Sequence, residues 1–203
     1  IHGEAFGWRV SDRYELTSQG EAAERLSEKY GFDRDALDDF AAESHRRAAA
    51  AADAGHFLVE SVSVPVGELC EKDWEGPRES LDADQTIRRD TSREKLSTLK
   101  TSFRENGRVT AGNASQISDG AAVVLLASEA ALRTHGLIPL ARVRSVAVVG
   151  ADPVMMLEGP IAASRKAADL AGLSFDDIAL FEINEAFASV PLMWMQQTGV
   201  GAD

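Results

Sequence analysis

Between Gly20 and Tyr30 the apolar positions Ala22, Ala23, Leu26 and Tyr30 fall on one helical face, and Gly31 closes the run as a C-terminal glycine should. Asp33 can cap a second helix, whose inner face is Leu37, Phe40, Ala41 and Ser44 and which stops at Gly55. Residues 57–66 then alternate, with Val62, Val64 and Val66 on one side, and predict a strand ending near Pro65. Residues 1–18 have weak periodicity and read as an irregular lead-in. The charged stretch 67–90, with Gly67, Gly76 and Pro77, reads as a surface excursion. Lys95 to Phe103 reads as a short helix or turn.

The pattern changes near residue 105. Ala121 to Ala127 is continuously apolar, as a strand covered on both faces would be. Ser128 can cap a helix from Glu129 to His135, closed by Gly136. Ala141 to Val149 predicts a second buried strand, and Pro160 starts a helix running to Gly172. Ser174 with Asp177 has capping-box form, ahead of a strand over 178–183. That strand runs into Asn184 and Glu185, a fitting N-cap and first-turn acid for a helix through Trp194. Pro191 would lie inside that helix and kink it at a cost of about 3 kcal/mol. Strand, helix, strand, helix, strand, helix is the order of a mostly parallel, doubly wound α/β sheet.

Composition narrows the function. The 203 residues carry a formal net charge of −12, which excludes a broad nucleic-acid or anionic-membrane surface. An anionic ligand would need a local cation set against that field. No apolar run approaches the roughly 20 residues of a membrane helix. Cys70 is the single cysteine, so no internal disulfide can form and a reducing, cytoplasmic compartment is expected. Cys70 stands among Glu68, Glu71, Lys72 and Asp73, with nothing to lower its pKa, and reads as a bystander. The four histidines lack metal-ligand spacing, so no metal is expected.

Three features could carry chemistry. Asn184 sits at a strand-to-helix junction, where α/β folds place their sites, although the same residue can be only a cap. Thr110 to Gly120 is a dense run of small and polar residues, either a plain turn or a surface that a ligand can approach closely. Arg88-Arg89 could meet a phosphate or stack on a base, or else pair with Asp82, Asp84 or Asp90. No complete nucleophile–base pair is present, and no glycine fingerprint of a nicotinamide enzyme follows a strand.

Taken in order, Gly20-Glu21-Ala22-Ala23-Glu24, Ser44-His45-Arg46-Arg47-Ala48, Thr110 to Gly120, Gly159 to Ala167 and Asn184 to Ala188 resemble the thiolase family of acyl-CoA acyltransferases. The likeness runs from about Leu16 to Trp194. Glu182 to Ser189 and Gln116-Ile117-Ser118 look closest to degradative members, of fatty-acid or sterol side-chain breakdown. The resemblance implies a partial thiolase-like layered α/β fold. Residues 1–105 would be a helical loop domain covering coenzyme A, 106–138 the end of one core half, and 139–203 the start of the other.

It also implies a reaction, thiolysis of a 3-ketoacyl-CoA or the reverse Claisen condensation, with coenzyme A thioesters as substrates and no further cofactor. A homodimer or homotetramer is implied too. By likeness, Asn184 holds an oxyanion-hole water and Phe187 stands beside the pantetheine arm. Ser115, Ala111 and Phe103 also contact pantetheine, Arg88 meets the nucleotide end of coenzyme A, and Met156 lies near the acyl group. The family's nucleophilic cysteine belongs before this stretch, and its Gly-His-Pro histidine and second cysteine after it. Glu15-Leu16 and Leu157-Glu158 depart from the biosynthetic pattern near the pocket, which puts short-chain specificity in doubt. The alternative is a truncated, non-catalytic acyl-CoA or lipid-binding member.

Overall fold

The computed structural model describes residues 7–69 and 80–202, so Cys70 lies outside the described residues. A short helix, α1 (Trp8–Ser11), interrupts the irregular lead-in. Two longer ones follow, α2 (Gln19–Tyr30) and α3 (Arg34–Asp53). Ser18 Oγ accepts the N–H of Glu21 to start α2, and Gly31 ends it at φ 78°, a left-handed conformation that costs glycine little. Asp33 caps α3 as expected, accepting from Ala36 N at 2.8 Å. Next come α4 (Val66–Leu69), α5 (Arg93–Ser97) and α6 (Glu129–His135). Ser128 caps α6 and Gly136 closes it, as the sequence predicts.

A 3-10 turn, Met156–Glu158, leads into α7 (Gly159–Ala171), and a second, Phe175–Asp177, precedes α8 (Ser189–Thr198). In the Ser174 turn the Asp177 carboxylate accepts from both the N–H and the hydroxyl of Ser174. Two expectations about α8 need correction. It begins at Ser189 and no side chain caps it, so Asn184 is not its cap. Pro191 is therefore in the first turn, where an N–H has no intrahelical acceptor to lose, and the kink cost does not arise.

The core forms where α2, α7 and α8 meet. Leu26, Met193 and Trp194 are fully buried, and Phe175, Phe181, Ile161 and Leu157 pack around them. Trp194 lies 4.9 Å from the Phe181 ring and 5.8 Å from Phe175 between centroids, while its indole N–H donates to Ser164 Oγ at 3.0 Å. A second cluster, Ala23, Val109, Phe187 and Val190, continues from it, and Leu157 touches both.

The strands depart most from expectation. Among the described residues β pairing is limited to three isolated bridges, Val64 with Leu81, Thr101 with Thr110 and Ala114 with Phe187. The strand predicted over 57–66 reduces to the first of these. The apolar runs 121–127, 141–149 and 178–183 form no ladder, and Val123 and Leu125 are 96% and 78% exposed rather than covered on both faces. A parallel strand is held by the neighbour it pairs with, and the described residues bring no second strand beside any of the three.

Two buried carboxylates tie the first half to the second. Glu24 accepts the backbone N–H of Arg108, at 2.9 and 2.8 Å to its two oxygens, and of Val109 at 2.9 Å. Asp38 takes the Arg34 Nε at 2.7 Å on one oxygen and the Asn113 side-chain amide at 2.8 Å on the other. Asn113 Oδ1 in turn accepts Thr110 N, and its main-chain carbonyl accepts Ala188 N at 2.9 Å. Ser115 N then donates to Ala186 O at 3.0 Å, completing the bridge.

Glu24→Ala leaves two backbone donors without their acceptor in a buried place, so it should destabilise the fold by about 2–3 kcal/mol. A lowered midpoint of urea unfolding reads this out, and Glu24→Gln should recover only part of it. Asn113→Ala should speed amide hydrogen exchange at Ser115 and Ala188 at least about tenfold, while leaving amides in the middle of α7 unchanged.

Candidate functional site

The bridge between Asn113–Ser115 and Ala186–Ala188 is the floor of the candidate site. Ser115 Oγ donates to the Glu185 carbonyl at 2.6 Å, adding a side-chain bond to the main-chain pair. This brings Phe187 into the core, and the Phe103 ring meets it edge-on at 6.0 Å. Phe103 in turn lies over Gly20, where a Cβ would overlap the ring. The half-exposed ring of Phe103 and the small residues of 110–115 therefore share one surface. Ala111 is exposed on the turn between Thr110 and Asn113. Gly112 keeps that turn close to α5, because a Cβ there would overlap Leu96 and Leu99.

Asn184 lies just ahead of this floor, exposed, with no hydrogen bond to its side chain among the described residues. Its amide is available to a small molecule. Glu185 beside it turns back, and its carboxylate accepts the Ser44 hydroxyl of α3 at 2.7 Å. Met156 is on a separate element, the 3-10 turn before α7. That turn is fixed to α2 through Glu158, which accepts from Lys29 Nζ at 2.6 Å and Tyr30 Oη at 2.7 Å. Burial and the neighbouring carboxylate push the Tyr30 hydroxyl up, and the hydrogen bond to Glu158 raises Lys29. Leu157, packed against the Phe187 cluster, connects the Met156 turn to the floor.

Arg88 reaches the site from the far side. Its guanidinium donates to Gln116 Oε1 at 3.3 Å, and Gln116 Nε2 donates to the Thr86 carbonyl at 2.7 Å. Neither arginine of the pair meets the acids expected as alternatives. Arg89 is paired to Asp53 at 2.8 Å, Asp90 takes Lys95, and Asp84 takes the hydroxyl and N–H of Thr86. Among the described residues Arg88 forms no salt bridge, whereas the other cations of the 88–95 stretch do. Its backbone N–H donates to His45 Nδ1 at 3.2 Å. Burial, and then the Arg88 charge, hold the His45 imidazole below its ordinary pKa, with Glu185 opposing.

Between α3 and the 112–116 loop lies a cavity of about 130 Å³, lined by Ser44, His45, Asn113, Ser115, Gln116 and Glu185. A larger open cleft of about 560 Å³ runs along α7 past Gly150, Asp152 and Lys166, but holds none of the expected site residues. The smaller cavity is the chemically relevant one, because polar groups converge on it from three segments. His45, Gln116, Glu185 and Asp38 take roles here that residue type alone did not announce. Only Gln116, a long amide in a run of small residues, gave a visible signal. Asp38 shares a helical face with Leu37 and Ala41, and its partner is distant in sequence.

Comparison with known proteins identifies the family. The model of the thiolase N-terminal domain matches residues 5–130, and that of the thiolase C-terminal domain matches residues 137–203. A 3-ketoacyl-CoA thiolase of Erwinia tasmaniensis is 46% identical over 182 residues, 89% of this chain and 46% of that protein. A steroid 3-ketoacyl-CoA thiolase of Mycobacterium tuberculosis is 45% identical over 180 residues, 89% of this chain and 41% of that one. The structure of human mitochondrial 3-ketoacyl-CoA thiolase in complex with CoA superposes with a TM-score of 0.83 at 36% identity, covering 92% of this chain and 46% of that one. This chain thus spans about half the length of the relatives it matches. Two successive family models account for nearly all of it, and the backbone carrying the candidate site follows the fold of their members: the chain belongs to the thiolase family.

Proposed function

We propose that this chain is the central part of a degradative thiolase, which cleaves 3-ketoacyl-CoA thioesters of fatty-acid or sterol side-chain breakdown by thiolysis, or runs the reverse condensation. What supports this reading is the Ala114–Phe187 bridge, which joins the loop of Ser115 to the segment that follows Asn184, an exposed amide with no side-chain hydrogen bond among the described residues, while Phe103 meets Phe187 edge-on. Both relatives quoted above bear 3-ketoacyl-CoA thiolase names, and one structural neighbour was determined in complex with CoA.

In this reading Asn184 holds the water that donates to the thioester oxygen as negative charge builds on it. A donor fixed before the reaction stabilises that oxyanion more than it stabilises the ground-state carbonyl. Phe103, Phe187, Ala111 and Ser115 line the pantetheine path, Met156 borders the acyl group, and Arg88, in no salt bridge among the described residues, offers its charge to the nucleotide end. The acyl-accepting cysteine, the second cysteine and the histidine of the reaction come from chain beyond these 203 residues. Residues 1–105 act as the cover over coenzyme A, with 106–138 and 139–203 belonging to the two core halves. A homodimer or homotetramer in the cytoplasm completes the proposal. The lone cysteine is in keeping with a reducing compartment, and no helix of the described residues is long and apolar enough to cross a membrane.

A truncated, non-catalytic acyl-CoA or lipid-binding thiolase-like protein is the weaker reading. It would leave Val123 to Leu126 and Leu140 in water with nothing gained.

In the complete enzyme, Asn184→Ala should lower kcat roughly a hundredfold with little change in the dissociation constant of a substrate analogue. Steady-state rates and an analogue titration measure both. Equal loss in the two would contradict the oxyanion role.

A further inference from the structure

Arg88 is held by two groups that carry no charge. Gln116 takes its guanidinium, and the imidazole of His45, projecting from the middle of α3, accepts its backbone N–H. A carboxylate in either place would fix the arginine equally well, but would neutralise it, as Asp53 does to Arg89 and Asp35 to Arg93. Using Nδ1 as the acceptor also fixes the tautomer, with the ring proton on Nε2.

We propose that His45 is a positioning residue for Arg88, and that its neutral form is what keeps the Arg88 segment seated against α3. This rests on the reading of Arg88 as the residue that meets the nucleotide end of coenzyme A. Protonation converts Nδ1 from acceptor to donor, so the anchor to Arg88 is lost and a second cation appears beside the guanidinium. The charged groups facing His45 are Arg88 on the 84–90 segment and Glu185 on the 184–188 segment. Arg88 disfavours the protonated ring, and Glu185 is engaged by Ser44. Burial also works against the charged ring, so the anchor persists at the ordinary histidine value of about 6.5 and is lost only as pH falls further.

The consequence is a grip on coenzyme A that weakens in acid through the cover, not through the reacting groups. The test is made in the complete enzyme, with coenzyme A and then pantetheine, which lacks the nucleotide, as acyl acceptor, between about pH 5.5 and 8.5. His45→Leu should raise KM for coenzyme A about five- to tenfold at pH 8, with kcat and KM for pantetheine nearly unchanged. His45→Asn, whose Oδ1 falls close to the Nδ1 position but does not titrate, should restore KM for coenzyme A at pH 8. It should also show a shallower acid-side rise in KM than the wild type. The phosphates of coenzyme A titrate identically in both, so the difference between the two profiles reports His45.

Equal losses with both acceptors would mark His45 as a general structural residue and overturn the inference. Parallel acid-side profiles of wild type and His45→Asn would overturn it as well. Arg88→Ala separates the two levels. If it leaves KM for coenzyme A unchanged, the reading of Arg88 itself fails. If it raises that KM while His45→Leu does not, only the positioning role of His45 fails.

Discussion

The buried carboxamide of Asn113 is the constraint from which the site follows. Its oxygen closes the Thr110 turn, its nitrogen meets Asp38, and its main-chain carbonyl holds Ala188. Each of these bonds belongs to a different part of the chain. An amide has one acceptor and two donor hydrogens in a plane, and this one uses both ends, its oxygen on Thr110 nearby and its nitrogen on Asp38, 75 residues away. Asp38 is fully buried and would be costly to leave charged without compensation, but Arg34 and the amide both serve it. The floor under Asn184 is thus fixed by polar groups shielded from water, where hydrogen bonds are strong and an unmade one is expensive.

Electrostatics adds a second level. A chain with net charge −12 repels anions at long range, and screening confines that repulsion to about 10 Å at ordinary ionic strength. What an anion meets at contact depends on which cations are already quenched. Arg89, Arg93 and Lys95 each face an aspartate, and exposed pairs of this kind contribute little stability. Their effect is instead to leave Arg88, among the described residues, as the cation of its stretch without a salt bridge, close to the cavity beneath Gln116 and His45.

Helices were legible because their signals are local. Ser18, Asp33 and Ser128 are caps in the sequence and in the structure, and Gly31, Gly136 and Gly172 end their helices as expected. Asn184 misled because a good capping residue can occur before an extended segment as readily as before a helix. The start of α8 is set instead by Ala114 and Ser115 pairing with the chain up to Phe187, a partnership no local window contains. The apolar runs were recognisable, but pairing is a property of two segments. The buried acids Glu24 and Asp38 are invisible to periodicity for the same reason, since the groups that donate to them belong to residues 108, 109 and 113. The roles expected of Arg88 and Phe103 rest on family likeness, since no spacing marks either residue.

The uncovered apolar runs have a consequence for how such a chain comes to be folded. The packing of α2, α7 and α8 spans long separations but is driven by large side chains such as Trp194 and Leu26. Runs such as Val123 to Leu126 gain nothing until a partner strand arrives, and parallel pairing is slow because loop closure must precede it. For that interval they are β-prone edges open to any neighbouring copy. While they lack a partner, these stretches are the part of the chain most open to aggregation, so yield in the cell would depend on chaperones shielding them.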